Sequence, residues 1–198
     1  MIFLAAPGSA LAYRPDIGNV NAIFGPQFHR TNFGGTDAGL TSSVMRGWGV
    51  VAQADLWTRG TLELGLVYMP KLFIREQNGL YFAEQTNLVH ITAGYRYWFA
   101  DRFSAALAFG SSYTTGEPET IYTDYPAGQR IDTSARDLVE YSFDLSLAYE
   151  VITEGRFGVV VDGRYSWSVT EKTEEAGDHY GILVGLRYLI QTKEEAKR

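Results

Sequence analysis

The 198-residue chain contains no cysteine, and its 17 basic residues include only four lysines. The absence of cysteine excludes a disulfide framework and thiolate chemistry. A net charge of −6 and the lack of a basic run argue against a nucleic-acid partner. No stretch reaches the roughly 18 consecutive apolar residues that a membrane-spanning helix needs. The sequence therefore excludes a helical membrane protein and disfavours a nucleic-acid-binding protein.

Recognisable patterns for metals and cofactors are also missing. Three dispersed histidines without cysteine do not give a metal-ligand spacing. The aspartates between residues 115 and 136 do not follow a calcium-loop pattern. Gly34-Gly35 is not followed by the residues of a phosphate-binding loop. We therefore expect neither a cofactor nor a metal centre.

The first twelve residues are apolar and small, and they end in Ala10-Leu11-Ala12. This ending is typical of a secretory signal with its A-x-A cleavage site before Tyr13. We interpret residues 1–12 as a signal-peptide remnant, residues 13–190 as one domain and residues 191–198 as a polar tail. A chain of this length gives no reason to invoke a second domain.

The strongest positive signal is an alternation of apolar and polar residues with period two, repeated eight times. Every repeat has one strongly apolar face, as in Tyr141, Phe143 and Leu145. The predicted strands are 19–30, 43–57, 61–75, 80–99, 103–114, 137–151, 157–169 and 179–190.

The opposite faces of these strands carry glycine, alanine and serine with isolated charges, as in Ser142, Asp144 and Ser146. In a soluble barrel this small-residue face would be the exterior, where lysine commonly solubilises strands and protects edges. Lysine is almost absent here, so the inverse arrangement fits better. We predict an eight-stranded antiparallel up-and-down transmembrane β-barrel, with large apolar side chains facing lipid and small or charged ones facing a narrow lumen.

The connections support this prediction, because short and longer ones alternate. Three are tight turns, at residues 58–60, 100–102 and 153–155, and the others fall at 31–42, 76–79, 115–136 and 170–178. Short turns on one side and longer loops on the other are typical of membrane barrels. Eight strands place both termini on the short-turn side. Aromatic residues cluster near both ends of the strands, as two girdles at the headgroup level would require.

Two stretches carry a resemblance to a known family. Residues 94–103, GYRYWFADRF, resemble an aromatic strand end followed by a tight periplasmic turn. Residues 185–190, GLRYLI, resemble the terminal strand signal that the barrel-assembly machinery recognises. The chain thus resembles the small eight-stranded outer-membrane barrels of Gram-negative bacteria, the OmpA/OmpX-like superfamily.

The resemblance implies an outer-membrane location, periplasmic termini and insertion by the assembly machinery. It also implies contact with outer-membrane lipid and lipopolysaccharide. It fixes no single function, because such barrels include adhesins, anchors, narrow channels and lipid-modifying enzymes. The polar, aromatic region from Thr114 to Arg136 is a candidate contact for a surface partner, and the tail 191–198 for a periplasmic one.

Strand parity directs a set of charged side chains into the lumen, where isolated charges should pair. The expected lumen network consists of Asp55, Glu63, Arg96, Glu140, Asp144, Asp162, Arg164 and Arg187. One interpretation is a structural network that closes a non-enzymatic barrel with a structural or surface-interaction role. The alternative is a gate or a narrow path for small or amphipathic solutes.

A catalytic role would need a nucleophile, a base and an orienting acid within reach of one another. The best candidate is Ser168 opposite His179, with Glu171 or Asp178 nearby. Lipid-A deacylases of similar barrel size use these residue types. No catalytic motif surrounds Ser168, so we expect no catalytic residue and keep a lipid-A-modifying enzyme as the second alternative.

Overall fold

The computed structural model describes residues 13–31, 42–126, 139–170 and 178–191, with side chains described throughout except at 75–77. These residues form eight strands: β1 (Val20–Thr31), β2 (Met45–Trp57), β3 (Gly60–Gln77), β4 (Leu80–Trp98), β5 (Phe103–Thr123), β6 (Glu140–Glu154), β7 (Phe157–Ser168) and β8 (His179–Gln191). In the described part of the chain, no helix is long and apolar enough to cross a membrane.

The strands form one closed barrel in which each pairs with its sequence neighbours and β8 returns to β1. All eight pairings are antiparallel. Closure removes the unpaired edges that an open sheet would expose. The predicted eight-stranded up-and-down barrel is therefore confirmed.

The barrel is apolar on its outside and polar on its inside. Phe143, Leu145 and Ile182 keep 44%, 59% and 49% of their surface exposed, whereas Asp144 and Arg96 keep 1% each. A water-soluble protein would pay about 25 cal/mol for each Å² of apolar surface left in water. The predicted orientation of the two faces is confirmed, and it is the orientation of a barrel that lipid surrounds.

Strand β5 is the main departure from the predicted strand boundaries, because it runs to Thr123 instead of ending at 114. Gly116 has φ of +79° and Pro118 lies two residues further on, and such residues locally favour a loop. Pairing with β4 nevertheless continues past irregularities, as far as Thr123 opposite Phe82. Long-range pairing thus overrides the local turn signal.

Three strands consequently extend beyond the barrel wall on the longer-loop side. We call this extension the blade; it comprises residues 69–77 of β3, 80–89 of β4 and 113–123 of β5. Its inward face, which includes Lys71 and Glu84, continues the lumen face. A two-residue turn of Asn78 and Gly79, both with positive φ, joins the first two strands. That conformation suits the right-handed twist of a tight hairpin.

The two edges of the blade differ. On the β3 edge, His29 Nε2 lies 2.6 Å from the carbonyl oxygen of Pro70, and Thr31 donates to the carbonyl of Leu72 at 3.3 Å. On the β5 edge, pairing with β6 stops at Ser112, and in the described ranges no strand pairs with residues 113–123 on that side. The blade thus has one edge capped by side chains and one edge that no described strand pairs with.

At the short-turn end, a segment that the strand pattern did not predict crosses the mouth of the barrel. We call residues 13–19 the strap. Backbone hydrogen bonds hold it to β2, with Gly18 N donating to the Asp55 carbonyl at 3.3 Å and Asp55 N donating to the Asn19 carbonyl at 2.9 Å. Tyr13 is only 6% exposed. The strap therefore closes part of this end of the lumen.

Candidate functional site in the lumen

The centre of the lumen is an ion-pair cluster around Arg96 of β4. Its Nε donates to Glu63 at 2.6 Å, and its Nη2 donates to Asp162 at 2.6 Å. Further donations at 2.9 Å reach Ser104 and Ser146. One guanidinium thereby joins side chains from β3, β5, β6 and β7. Charge-assisted hydrogen bonds of this kind are short and strong, so Arg96 connects β4 to β6 and β7, with which β4 shares no backbone pairing.

Arg164 of β7 connects this cluster to the next layer. Its Nη2 donates to Glu63 at 2.6 Å, and its Nη1 lies 3.7 Å from Asp144. Asp144 also accepts hydrogen bonds from Ser166 at 2.7 Å and from His90 Nε2 at 3.0 Å. The polar contacts therefore continue without a break from the Arg96 cluster toward the longer-loop side.

Above this layer, Lys71 and Glu140 form a pair across the lumen. The ammonium lies 2.7 Å from both carboxylate oxygens and joins β3 to β6. The ring of Phe73 lies beneath the same ammonium, 5.0 Å from it. Lys71 is the single lysine among the described residues, and it is fully buried. Its position explains why a sequence so poor in lysine retains one in a strand.

At the short-turn end, Arg187 donates to Glu150 at 2.6 Å and lies 4.1 Å from the ring centre of Tyr13. The Tyr13 hydroxyl donates to Asp55, which also accepts from Thr61 at 2.8 Å. Trp98 packs against Tyr13 with ring centres 5.5 Å apart. The strap, the end of β4 and the start of β8 thus meet at one aromatic and charged contact.

Glycines on the lumen face make room for these long side chains. A Cβ at Gly158 would lie 2.7 Å from Nη2 of Arg187, and one at Gly110 would lie 2.7 Å from Cε1 of His90. Both distances are too short for real contacts. The small-residue face that sequence parity placed inside is therefore the space that the charged residues occupy.

All eight residues of the expected network lie on the lumen face. Glu63, Arg96, Asp144, Asp162 and Arg164 belong to one continuous cluster. The other three have separate partners: Glu140 has Lys71, Arg187 has Glu150, and Asp55 has Tyr13 and Thr61. The sequence pattern put all eight on this face and did not indicate the contact between Arg187 and Tyr13.

Charge is not balanced along the described lumen. Four cationic side chains face seven carboxylates, and the three histidines of the chain lie on the same face. The carboxylates are Asp55, Glu63, Glu84, Glu140, Asp144, Glu150 and Asp162. With neutral histidines, the described interior carries three more negative than positive charges. Within the described ranges, no group of three or more histidine, aspartate or glutamate side chains is arranged to hold a metal ion.

The candidate catalytic pair does not assemble. His179 lies opposite Ser166 in the register, its Nδ1 has no hydrogen-bond partner within the described residues, and the same holds for Ser168 Oγ. Asp178 accepts a hydrogen bond from the Ser168 backbone N–H at 2.9 Å. A serine nucleophile needs a base within hydrogen-bond reach, and this geometry supplies none. Glu171, the other acid considered, lies outside the described residues.

Trp98 lies near the short-turn end of β4, but it does not belong to the outer aromatic girdle that the sequence predicts there. It is 6% exposed and points into the lumen, where its indole N–H donates to Thr61 at 3.2 Å. Its neighbour Tyr97 is 44% exposed and lies on the outer face. Strand parity, which separates adjacent residues, could have made this distinction.

Comparison with solved structures gives matches over most of the chain. The crystal structure of Ail, the attachment invasion locus protein of Yersinia pestis, is 12% identical, with a TM-score of 0.50; the match covers 87% of this chain and 98% of that one. The structure of Ail in a phospholipid nanodisc is 14% identical, with a TM-score of 0.50 and coverages of 86% and 98%. The solid-state NMR structure of AlkL in DMPC bilayers is 8% identical, with a TM-score of 0.42 and coverages of 97% and 98%.

Neither a protein-family model nor a curated protein matches the sequence. At such low identity, the likeness to Ail shows the fold and does not transfer residue roles. The fold itself agrees with the apolar exterior, the polar lumen and the closed antiparallel sheet. This chain therefore has the fold of the small eight-stranded outer-membrane β-barrels.

Proposed function

We propose that this protein is an integral barrel of the bacterial outer membrane that acts through its outer surface, without catalysis. Its longer loops and blade face the cell exterior, and both termini face the periplasm. The barrel interior serves as a closed structural support. The observation that carries the proposal is the blade, whose outer strand exposes Ile121 and Tyr122 and has no described strand on its far edge beyond the lipid-facing wall.

The exposed part of β5 has the chemistry of a contact surface. Ile121 and Tyr122 are 53% and 43% exposed, although they lie outside the lipid-facing wall. Tyr122 donates to Asp124, and this hydrogen bond raises the pKa of the Tyr122 hydroxyl. An open edge with exposed β-branched and aromatic side chains can add a strand from a partner polypeptide. Ail is named for attachment, which supports a comparable role here.

Three residues restrict which part of the β5 edge can pair with another strand: Glu117, Pro118 and Glu119. Acidic side chains and proline are common means of preventing uncontrolled pairing between strand edges. All three are exposed, and they precede the part of β5 that carries Ile121 and Tyr122. We infer that the available contact is the short segment from Thr120 to Thr123, which favours one specific extended partner over general aggregation.

The absence of cysteine makes the orientation directly testable. A single cysteine at Glu119 in the blade should react with a membrane-impermeant maleimide on intact cells. A single cysteine at Arg59, in a short turn, should react only after the outer membrane is opened. The reverse pattern, or labelling of neither site in outer-membrane fractions, contradicts the proposed orientation.

Adhesion tests the surface role. Cells that display the protein should adhere to a surface coated with extracellular-matrix polypeptide more strongly than cells that lack it. Successive residues of a strand direct their N–H groups to opposite edges. Proline has no N–H, so Thr120→Pro and Ile121→Pro each remove a hydrogen-bond donor from a different edge of β5. At least one variant should lose about tenfold in adhesion while retaining heat-modifiable migration. Unchanged adhesion in both variants contradicts the proposal.

A narrow cation-selective channel is the second candidate, and the excess of lumen carboxylates favours it. The residues on the lumen face of β5 are all small: Ser104, Ala106, Ala108, Gly110 and Ser112. Stable conductance of the purified protein in planar bilayers, changed in selectivity by Arg96→Ala, would establish this candidate and exclude a closed lumen. A silent bilayer before and after the substitution excludes the channel.

A further inference from the structure

Two of the three histidines of the chain touch each other inside the lumen. The rings of His90 in β4 and His179 in β8 meet edge to face, with their centres 5.3 Å apart. Both residues are buried, with exposed fractions of 1% and 5%. Histidine is the side chain whose ordinary protonation range falls between about pH 5 and 8. The contact therefore joins two groups that can both become cations, near the longer-loop end of the lumen.

His90 can accept a proton without losing a hydrogen bond. Its Nε2 lies 3.0 Å from an oxygen of Asp144, and its Nδ1 lies 2.8 Å from Ser112 Oγ. Because a carboxylate only accepts, Nε2 carries the proton of the neutral ring and donates it to Asp144. The Ser112 hydroxyl donates to Nδ1 of the neutral ring, and it can accept from Nδ1 once the ring is charged. A charged His90 is thus held between a carboxylate and a hydroxyl.

His179 lacks this support. Its Nδ1 has no hydrogen-bond partner in the part of the chain that the structure describes. The other titratable and charged groups that the surrounding strands direct into this part of the lumen are His29 of β1, Lys71 of β3, Glu140 and Asp144 of β6, and Arg164 of β7. Both carboxylates already have donors, since Glu140 holds the Lys71 ammonium and Asp144 accepts from His90 and from two serines. A charge on His179 would therefore be buried beside other cations.

The two rings accept one proton much more readily than two. The first proton goes to His90, where Asp144 stabilises it, and the resulting charge opposes a second one on His179. Like charges at such a separation repel strongly even at the effective dielectric constant of about 20 that describes protein sites. In the unfolded chain, each histidine takes up its proton independently near about pH 6.5. Acid therefore favours any state in which His179 reaches water, because the folded lumen refuses its proton.

We propose that His90 and His179 form an acid-sensitive lock at the longer-loop end of the barrel. His179 is the first residue of β8, opposite Ser166 of β7 and Thr31 of β1 in the register. At neutral pH, the packed neutral rings hold this strand end against the opposite wall. In acid, the strand end opens so that His179 takes up its proton, while the central ion pairs remain. The response to the external medium, but not the lock itself, rests on the proposed orientation.

Urea unfolding of the purified barrel in lipid vesicles at pH 7.5 and 5.5 tests the lock. A histidine that stays neutral in the folded state and takes up its proton near about pH 6.5 when unfolded lowers the folding equilibrium constant about tenfold over this interval. His179→Gln should remove that tenfold part of the acid loss, because glutamine does not titrate here. An acid loss as large in H179Q as in the unchanged protein overturns the proposal.

The third histidine supplies the matched control for the contact. His29 is buried on the same face, with its Nε2 2.6 Å from the carbonyl oxygen of Pro70. The acid effect of H179Q should be at least about threefold smaller in an H90Q background, where no imidazolium opposes His179, and unchanged in an H29Q background. An effect of equal size in all three backgrounds shows that His179 acts alone and overturns the lock.

Amide hydrogen exchange at pH 5.5 locates the opening. Residues 179–183 should exchange at least about threefold faster in the unchanged protein than in H179Q, and equal rates at this strand end contradict the lock.

NMR of histidine side chains labelled with nitrogen-15 reports the protonation states directly, because the chain has three histidines. At pH 5.5, His90 should be charged and His179 neutral in the unchanged protein, a measurement that needs no variant to fold. In H90Q, His179 should take up its proton at a pH about one unit higher or more. A charged His179 at pH 5.5 in the unchanged protein, or an unmoved titration in H90Q, overturns the proposal. These measurements use the purified barrel, so their failure leaves the proposed location, orientation and adhesion untouched, and an inverted barrel leaves the lock untouched.

Discussion

The lumen and the blade are parts of one antiparallel sheet, but the lumen buries and pairs its charged side chains, whereas the outer strand of the blade exposes apolar and aromatic ones. In the lumen, each of the four cationic side chains has a carboxylate partner, and the charged groups are almost wholly buried. In the blade, Ile121 and Tyr122 are exposed, and no described strand pairs with the outer edge of β5 beyond Ser112. The paired charges leave the interior little capacity to bind, whereas the outer strand of the blade offers a contact surface. Substitutions in the two regions should therefore have opposite consequences.

The largest stability loss is expected at Arg96. Replacement Arg96→Met leaves Glu63 with one cation fewer and removes the hydrogen-bonded cation of Asp162 in a confined space. Breaking a buried ion pair from one side costs about 3–5 kcal/mol. Urea unfolding in lipid vesicles, followed by tryptophan fluorescence, measures the loss. Arg59→Met in an exposed turn is the control and should change the free energy of unfolding by less than about 0.5 kcal/mol.

A smaller loss of stability is expected at Lys71. Its replacement removes the cation of one buried carboxylate, whereas the replacement of Arg96 affects two. Lys71→Met leaves Glu140 buried without its ammonium and should cost about 2–3 kcal/mol. The double variant K71M/E140Q removes both charges and should recover part of that loss. A double variant as unstable as the single one would show that the pair does not act as a unit, and unfolding titrations decide this.

At the short-turn end of the lumen, the Tyr13 hydroxyl is one of the contacts that hold the strap. Tyr13→Phe keeps the ring against Arg187 and Trp98 and removes the donor to Asp55. Loss of a hydrogen bond to a charged acceptor should cost about 1–2 kcal/mol, because Asp55 keeps Thr61 as a donor. Protease cleavage of the strap should also become faster. An unchanged unfolding midpoint together with unchanged cleavage would mean that the ring alone anchors the strap.

The same contrast explains which features the sequence could predict. Side-chain period two determines which face of a strand each residue occupies, so the apolar exterior and charged lumen follow directly from the sequence. Parity does not determine height along the barrel axis. The pair of Arg164 and Glu63 joins residues 101 positions apart, and its existence depends on the register of every intervening strand. This is why parity alone did not pair Arg187 with Glu150.

The unpredicted features lack periodicity or contain turn residues. The strap is a short segment with proline and glycine, and its anchor Tyr13 acts through tertiary contacts alone. The outer half of β5 contains Gly116 and Pro118, which locally favour a loop. Pairing with a neighbouring strand held by the Asn78-Gly79 turn stabilises it instead. Local sequence propensity therefore predicts the wrong structure where a long hairpin supplies a neighbouring strand for pairing.

The smallest effect on stability should accompany the largest effect on binding. Ile121→Ser changes a side chain that is 53% exposed and lies outside both the lumen and the lipid-facing wall. The free energy of unfolding should change by less than about 0.5 kcal/mol, because little surface is buried there. Adhesion to the polypeptide-coated surface should fall, because the same exposed side chain is available to a partner strand. Arg96→Met should show the opposite pattern. It should lower the free energy of unfolding, whereas the molecules that fold should retain adhesion. If Ile121→Ser destabilises the barrel or leaves adhesion intact, the blade is part of the structural support and the contrast between the two regions fails.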